Sequence, residues 1–191
     1  QVTSLLVFNG ELVVGGYFNS GIARWNGVSW SGFGSGLFDV TALGTYNGDL
    51  IAAAGHVKRW NGTSWDTISS GLSITGYLLA LQEFGGELFV SGEFISVGGG
   101  GNDHLVRWDG TTWRSAGSPG GVRSLAVHNG ELIAGGGFSP GCEQQEFTNI
   151  ARWDGAVWRS MGEGTPSSIR ALGIHGADLY AATFNSPNLI R

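Results

Sequence analysis

The chain has 191 residues, of which 35 are glycine and only four are proline, and its net charge is −5. This length allows a sizeable core, and the composition is typical of a globular chain with many tight turns. Charged residues make up 13% of the chain, so the clustered basic face that nucleic-acid binding requires is not expected. No run of about 18 apolar residues occurs, so no membrane-spanning segment is predicted.

A short strand pattern opens the chain and recurs in five copies. Each copy has an apolar residue, a variable residue, Ser or Ala, and then Leu, and the copies begin at Val2, Val40, Leu78, Val122 and Ile169. A small residue kept at one position indicates the close approach of another backbone, as at the crowded centre of sheets arranged around an axis. We therefore predict that this is the innermost strand of each repeat.

A tight turn follows each first strand. The turn residues are Asn9-Gly10, Asn47-Gly48, Gly85-Gly86, Asn129-Gly130 and, less faithfully, Gly176-Ala177. Asn-Gly between two apolar runs predicts a two-residue hairpin loop with positive φ. The chain then returns in a second strand that starts with an acidic residue, at Glu11, Asp49, Glu87, Glu131 and Asp178.

The third and fourth strands come from the motif Arg-Trp-Asn/Asp-Gly-x-x-Trp. It occurs four times and contains all eight tryptophans, at residues 24–30, 59–65, 107–113 and 152–158. Four short antiparallel strands per repeat are typical of the blades of a β-propeller. The predicted fold class is therefore all-β, a propeller of four-stranded antiparallel blades in a single domain over residues 1–191.

Four repeats are complete and the fifth is not. We place them at residues 1–38, 39–76, 77–120 and 121–167, with a partial fifth repeat at 168–191. The fifth copy stops before its tryptophan, so we expect this blade to lack its fourth strand. Either the chain is a fragment of a longer propeller, or a neighbouring chain completes the fifth blade. An open sheet edge is an aggregation liability in isolation.

Residues 129–136, a variable loop and then residues 149–155 resemble the kelch-like propeller repeat of the galactose-oxidase central-domain type. Such repeats occur in bacterial secreted proteins and in fungal cortical polarity markers. The resemblance covers the whole chain and implies a surface or extracellular propeller with an interaction role. It implies no catalytic residue, because the copper site of galactose oxidase is not reproduced around Cys142 or the tyrosines. The Asp-box of sialidases also differs, since Asp109-Gly110 and Asp154-Gly155 are adjacent.

The repeated tryptophans and arginines each allow two interpretations. Exposed indoles would suit sugar rings, but their strict repetition favours packing between or along blades, where a buried aromatic side chain covers roughly 150–250 Å². The repeated arginines would suit an acidic ligand, but each is matched by one repeated acid. We predict structural ion pairs and no free basic patch, because five of the ten basic residues are used in this way, namely Arg24, Arg59, Arg107, Arg152 and Arg191.

The connections between strands two and three differ most from blade to blade. They are long at residues 93–104 and 137–149 and nearly absent around His56. We expect all of them on one rim of the propeller, and loops on a rigid scaffold commonly carry recognition. The predicted ligand-binding residues are Phe94, Asn102, Asp103, His104, Phe138, Glu143, Gln145 and Glu146.

No cofactor, metal or catalytic residue is predicted. Asn102 and Asp103 carry oxygen ligands suited to calcium, but a solvated loop is the favoured interpretation. The glycine run at 98–101 lacks the following helix of a phosphate-binding loop. Cys142 is either a free thiol or a partner for another chain. Asn61 lies in a glycosylation sequon that coincides with a predicted hairpin turn.

These observations favour a non-enzymatic binding module, extracellular or on the cell surface, that recognises a protein or a glycan through the loops between strands two and three. Two alternatives stay open. In the first, the chain is the propeller portion of a larger secreted hydrolase or oxidase. In the second, it is a structural repeat segment of a surface assembly.

Overall fold

The computed structural model describes residues 1–97, 103–117, 119–138, 148–185 and 189–191, with the backbone alone at residues 94–96. Within these ranges the regular structure consists of nineteen β-strands, which confirms the all-β prediction. None of the described elements is a helix with the length and apolarity needed to cross a membrane.

The strands form five antiparallel sheets, which we call blades 1 to 5 in chain order. Blade 1 contains β1 (Val2–Phe8), β2 (Glu11–Gly16), β3 (Ile22–Trp25) and β4 (Trp30–Gly32). Blade 2 contains β5 (Ala42–Tyr46), β6 (Asp49–Ala54), β7 (His56–Trp60) and β8 (Trp65–Thr67). Blade 3 contains β9 (Leu72–Phe84), β10 (Glu87–Val97), β11 (Leu105–Trp108) and β12 (Trp113–Ser115).

Blade 4 contains β13 (Gly121–His128), β14 (Glu131–Gly137), β15 (Ile150–Trp153) and β16 (Trp158–Ser160). Blade 5 has three strands within the described residues, β17 (Ile169–His175), β18 (Asp178–Thr183) and β19 (Leu189–Ile190). The first strands of successive blades contact one another, from β1 to β5, β9, β13 and β17. The chain is therefore a β-propeller of five blades, and the described part of the last blade has three strands.

The predicted hairpin turns are present. Asn9, Asn47 and Asn129 have φ of 50°, 49° and 50°, and the glycine after each of them has φ between 78° and 81°. Asn tolerates the left-handed region and Gly adopts it freely, which is why this pair suits a turn with two positive φ values. These turns fix the register, so that Phe8 lies opposite Glu11 and His128 lies opposite Glu131.

Blade 3 departs from the predicted repeat boundaries. Its first strand begins at Leu72, inside the segment assigned to the second repeat, and its second strand continues to Val97, inside the predicted long loop. Ile74 lies opposite Phe94, and Leu72 lies opposite Val97. Apolar and β-branched residues favour strand structure. Leu72, Ile74 and Val97 also pack against the core between blades 2 and 3, so the hairpin extends beyond the other blades.

Each blade has two faces. We call the face toward the preceding blade the leading face and the face toward the following blade the trailing face. Between blades 2 and 3, the trailing face of blade 2 supplies Ile51 and Val57. The leading face of blade 3 supplies Leu88, Val90 and Trp113. The other interfaces use the same repeat positions. The core thus consists of layers between blades, which is the expected architecture of stacked repeats.

Tryptophan side chains connect the outer parts of neighbouring blades. The indole Nε1–H of Trp65 donates to the carbonyl of Phe33 at 3.1 Å, that of Trp113 to Ile68 at 2.8 Å, and that of Trp158 to Ala116 at 3.0 Å. Each acceptor is the third residue after the corresponding tryptophan of the preceding blade. A buried indole N–H needs such a partner, so these contacts fix the position of one blade against the next.

Candidate functional site

All five predicted Arg–acid pairs are present. Arg24 and Glu11 lie 3.3 Å apart, Arg107 and Glu87 3.1 Å, Arg152 and Glu131 2.6 Å, and Arg191 and Asp178 2.8 Å, while Arg59 pairs with Asp49. The tryptophan pairs also pack as predicted, with ring centroids 5.1–5.4 Å apart. Because these residues are engaged in every blade that has them, the distinctive site must lie where the blades differ.

The blades differ at the variable residue of the first-strand pattern. In blades 1 and 2 this residue is Thr3 or Thr41, whose hydroxyl donates to the carbonyl of Val40 at 2.5 Å or of Ala53 at 3.3 Å. In blades 4 and 5 it is arginine, at Arg123 and Arg170, and both residues lie at an irregularity in the strand register. The local bulge is a site at which a strand commonly redirects a side chain.

Both arginines lie over the ring of Phe184. The guanidinium carbon of Arg170 is 4.1 Å from the ring centroid, and that of Arg123 is 5.5 Å away. Phe184 follows β18, and its backbone N–H donates to the carbonyl of Ser168 at 3.0 Å. The attraction between a cation and an aromatic face holds the two positively charged guanidinium groups against one ring. Each guanidinium has five N–H donors, so N–H groups stay available for an anion.

Arg123 and Phe184 line a groove of about 400 Å³ at the junction of blades 3, 4 and 5. Arg170 is connected to this groove through its contact with the Phe184 ring. Blade 3 contributes Glu93 and His104 to its lining, and blade 4 contributes Arg123. Blade 5 contributes Phe184, and Ser168, which precedes the first strand of blade 5, also lines the groove. This size is within the usual range for small-ligand sites. The two predicted long connections both start at the groove, since Glu93 and Gly137 line it.

The charge at the groove is unusual for this chain. Among the described residues, Arg114 pairs with Asp109 and Arg159 with Asp154, and the Lys58 amine donates to the Thr67 hydroxyl. Within the same part of the chain, neither Arg123 nor Arg170 has a carboxylate at ion-pair distance. The prediction that no free basic patch remains was therefore wrong, because only half of the basic residues were assigned to the repeat.

Three of the predicted ligand-binding residues have described side chains. His104 is exposed and lines the groove. Asp103 lies beside it and accepts a hydrogen bond from the Ser115 hydroxyl at 2.6 Å. Phe138 is only 5% exposed and packs with the core between blades 3 and 4. We correct its role from ligand contact to core packing, because a buried ring offers almost no surface to a ligand.

The other predicted contacts cannot be placed at side-chain level. Phe94 lies in β10, where the backbone alone is described. Asn102, Glu143, Gln145 and Glu146 lie outside the described residues, as does Cys142. In the described part of the chain, no group of three or more His, Cys, Asp or Glu side chains is arranged to hold a metal ion.

Two carboxylates in hairpin turns have lowered pKa values. The Thr111 hydroxyl and nearby backbone N–H groups stabilise the Asp109 carboxylate and lower its pKa to about 2. The backbone N–H of Val157 and the Arg159 side chain do the same for Asp154, whose pKa is also about 2. Both carboxylates cap the hairpin between strands three and four, a common use of Asp in turns.

Sequence analysis missed Arg123, Arg170 and Phe184. The signal was present in the first-strand pattern, where the variable position is Thr, Thr, Leu, Arg and Arg in successive blades. Two arginines at one position of adjacent repeats must be neighbours in a radial array. The position of Phe184 corresponds to Glu93 and Gly137, the residues that follow the second strand pattern, so the groove combines two variable positions of the repeat.

Comparison with known proteins supports the fold. No family model and no curated protein matches the chain. The chain is similar to the computationally designed protein Ika8, with a TM-score of 0.54 and 15% identity over 95% of this chain and 68% of that one. It is also similar to the extracellular domain of BT4673 from B. thetaiotaomicron, with a TM-score of 0.51 and 9% identity over 96% of this chain and 31% of that one.

A third similar structure is the WD40 β-propeller domain of Doa1, with a TM-score of 0.49 and 13% identity over 98% of this chain and 76% of that one. At their low identities, the likenesses to Ika8 and to the BT4673 domain concern the fold alone. The kelch-like resemblance stays a prediction, while the β-propeller fold and its repeat nature are shown.

Proposed function

We propose that this chain is a non-enzymatic binding module that holds a protein or glycan ligand at the groove between blades 3, 4 and 5. The observation that carries the proposal is the pair Arg123 and Arg170 over Phe184, with guanidinium-to-ring distances of 5.5 and 4.1 Å. Arginine presents a planar fork of donors that matches carboxylate geometry. The ligand therefore carries a carboxylate or another anionic group.

The groove also supports contact with an apolar part of the ligand. Phe184 is 42% exposed and Leu79 is 36% exposed, and both line the groove. Glu93 and His104 lie on the blade 3 side of the groove and provide an acceptor and a further hydrogen-bonding group. We propose that a ligand spans the groove with its anionic group on the arginines and its hydroxyl or amide groups toward blade 3.

The proposed location is extracellular or at the cell surface. Its support is compositional, since the chain has a single lysine, low overall charge and abundant Gly, Ser, Thr and Trp. The described ends of the predicted loops at 93–104 and 137–149 adjoin the proposed site, because Glu93, His104 and Gly137 line the groove.

The test is an array that carries carboxylated oligosaccharides, the matching neutral oligosaccharides and acidic peptides. We expect wild-type protein to bind carboxylated or acidic ligands, and a variant with Arg123→Ala and Arg170→Ala to lose that signal. Arg159→Ala is the matched control, because this arginine is exposed and pairs with Asp154 on the hairpin of the outer strands. Equal binding by the double variant would reject the groove, and loss of binding in the control would attribute the signal to net charge.

A further inference from the structure

The groove that contains Arg123 also has an acidic residue, on its blade 3 side. Glu93 lines the groove and is exposed. The other blades carry no acid at this repeat position, where the equivalent residues are Tyr17, Gly55, Gly137 and Phe184. The groove therefore has an acidic side on blade 3 and a basic side on blades 4 and 5.

The Glu93 carboxylate has no cationic partner within the chain. Every Lys, Arg and His of the sequence lies within the described residues, and none of them is at ion-pair distance from Glu93. Glu87 of the same strand differs, since it pairs with Arg107 at 3.1 Å. An exposed and unpaired carboxylate in a groove is available to a cationic group of a ligand.

A glycine of the neighbouring strand provides the space for this side chain. A Cβ atom at Gly76 would overlap the Glu93 carboxylate. Gly76 belongs to the part of β9 that extends beyond the first strands of the other blades. The extended hairpin of blade 3 therefore places the acidic side chain beside the groove.

An apolar residue lines the same groove. Leu79 occupies the strand irregularity of blade 3 that Arg123 occupies in blade 4, and both residues line the groove. The lining contributed by blades 3 and 4 thus includes an acid, an apolar side chain and a base. A ligand that contacts all three needs a cationic group, an apolar group and an anionic group.

A peptide segment meets this requirement better than an acidic oligosaccharide does. Lysine and arginine side chains supply cationic donors, aspartate and glutamate side chains supply carboxylates, and apolar side chains lie between them along an extended chain. An acidic oligosaccharide supplies carboxylates and hydroxyl groups, which leave the Glu93 carboxylate without a cation. The charges of the groove therefore favour a protein ligand over a glycan.

We propose that the groove binds a segment of a partner protein, with a basic side chain on Glu93, an apolar side chain against Leu79 and a carboxylate on Arg123 and Arg170. This inference rests on the proposed function and names the ligand class of the same site. The two charges of the groove also fix the direction of the segment. The reversed segment would bring a cation to the arginines and an anion to Glu93, and like charges at an interface are unfavourable.

The experiment titrates the 191-residue chain with synthetic hexapeptides that carry a neutral fluorescent label, measured by fluorescence anisotropy at neutral pH. Each peptide is acetylated and amidated, so that one lysine and one aspartate carry its only charges. One, two or three residues separate the two, and leucine is one of them. In the matched peptide of each pair, glutamine replaces the lysine.

The measured quantity is the preference, the ratio of the two dissociation constants within a pair. For at least one spacing, wild-type protein should bind the lysine peptide at least about fivefold more tightly, because hydrogen bonds to charged groups are the stronger ones. Glu93→Gln should reduce this preference below about twofold, a small part of one tenfold step in affinity. The ratio cancels the general effect of removing one negative charge.

Two further variants show whether the effect is local. Glu163→Gln is the matched control, because Glu163 is also exposed and does not line the groove, and it should keep the wild-type preference. Gly76→Ala keeps every charge but displaces the Glu93 carboxylate, so it should lower the preference. Loss of the preference in the control, or a wild-type preference in Glu93→Gln or Gly76→Ala, would overturn the inference.

The glutamine peptide separates this inference from the proposed function. If its binding is lost with Arg123→Ala and Arg170→Ala while wild type shows no preference for lysine, the anion site stands and the inference falls. The inference also falls if no lysine peptide binds wild type below about 1 mM, the range of weak specific contacts, or if a carboxylated oligosaccharide without a cationic group binds more tightly than every lysine peptide.

Discussion

Arg107 of blade 3 lies 5.8 Å from the ring of Trp153 in blade 4, and its guanidinium also pairs with Glu87 of its own blade at 3.1 Å. One side chain thus links two strands of a sheet and the next sheet. This arrangement requires arginine at residue 107, because lysine would lack the planar group that pairs and stacks at once.

The first prediction concerns this arginine. Arg107→Ala should lower the free energy of unfolding by about 1 kcal/mol, since it removes a partly buried ion pair and an aromatic contact. Arg191→Ala is the control, because its side chain is 69% exposed and exposed ion pairs contribute little. Urea denaturation measures both variants. Equal losses in the two variants would show that the contact between Arg107 and Trp153 does not contribute to the free energy of unfolding.

A second prediction concerns Tyr46, which is 3% exposed and donates its hydroxyl to the carbonyl of Gly86 in the next blade at 3.2 Å. Tyr46→Phe should cost about 1 kcal/mol, the usual contribution of one hydrogen bond. The ring itself should fit, because Phe8 and Phe84 occupy the same repeat position in blades 1 and 3. Thermal unfolding at neutral pH provides the measurement.

Tyr46 also predicts an alkaline effect. Burial is the main cause that raises the pKa of Tyr46 above its ordinary value of 10.0. The unfolded chain therefore loses this proton first as the pH rises, so the folded state loses stability above pH 10. Wild type should lose stability more steeply than Tyr46→Phe in that range, and parallel curves would contradict the assignment.

The third prediction concerns the turn carboxylates. The pKa values of Asp109 and Asp154 are about 2, below the ordinary value of 3.8. A lowered pKa in the folded state stabilises the fold above the ordinary value, and this contribution is lost as the pH falls toward 2. A double variant with Asp109→Asn and Asp154→Asn should therefore show a smaller fall in melting temperature between pH 4 and pH 2.

Asparagine is the right replacement because blades 1 and 2 already use it. The Asn26 and Asn61 side-chain oxygens accept backbone N–H groups at 2.9–3.0 Å in the same turn. The double variant should fold normally at neutral pH, where circular dichroism verifies the sheet content. A fall in melting temperature as large as that of wild type would contradict the role of the two carboxylates.

A fourth prediction compares one repeat position in two blades. Leu5 on the leading face of blade 1 is 63% exposed, whereas Leu43 at the equivalent position of blade 2 is 7% exposed. Leu43→Lys should destabilise the protein by about 3 kcal/mol or more, because it removes core packing and buries a charge. Leu5→Lys should change stability by less than about 0.5 kcal/mol. Similar losses in chemical denaturation would contradict the blade order.

The repeat made most of the fold predictable. The first-strand pattern, the Asn-Gly turns and the Trp motif each depend on local chemistry, so the strands, hairpins and five ion pairs followed from the residues themselves. The extension of β9 to Leu72 did not follow, because Ile74 and Val97 pack against the core between blades 2 and 3, a contact that the local sequence does not reveal. Tertiary packing decided that boundary.

The candidate groove was only partly predictable. His104 was predicted from its place in a long connection, and it lines the groove, while its role in binding stays a prediction. The role of Phe138 did not, since an apolar residue at the start of a loop has no local signal that distinguishes ligand contact from core packing. Arg123 and Arg170 required attention to the position at which the repeats differ, and not to the positions at which they agree.

A comparison of two variants separates the arginine that holds blades together, Arg107, from the arginines that we propose bind ligand, Arg123 and Arg170. Isothermal titration with the strongest carboxylated or acidic ligand from the array would be combined with thermal unfolding for two variants. The variant with Arg123→Gln and Arg170→Gln should bind at least about tenfold more weakly, since hydrogen bonds to charged groups contribute about 1.5–3 kcal/mol. Its melting temperature should fall less than that of Arg107→Gln, because Arg107 loses an ion pair as well as an aromatic contact. Arg107→Gln should melt at a lower temperature and keep wild-type affinity while folded. The opposite pattern, with ligand affinity lost in Arg107→Gln and kept in the variant with Arg123→Gln and Arg170→Gln, would show that the ligand does not bind at Arg123 and Arg170.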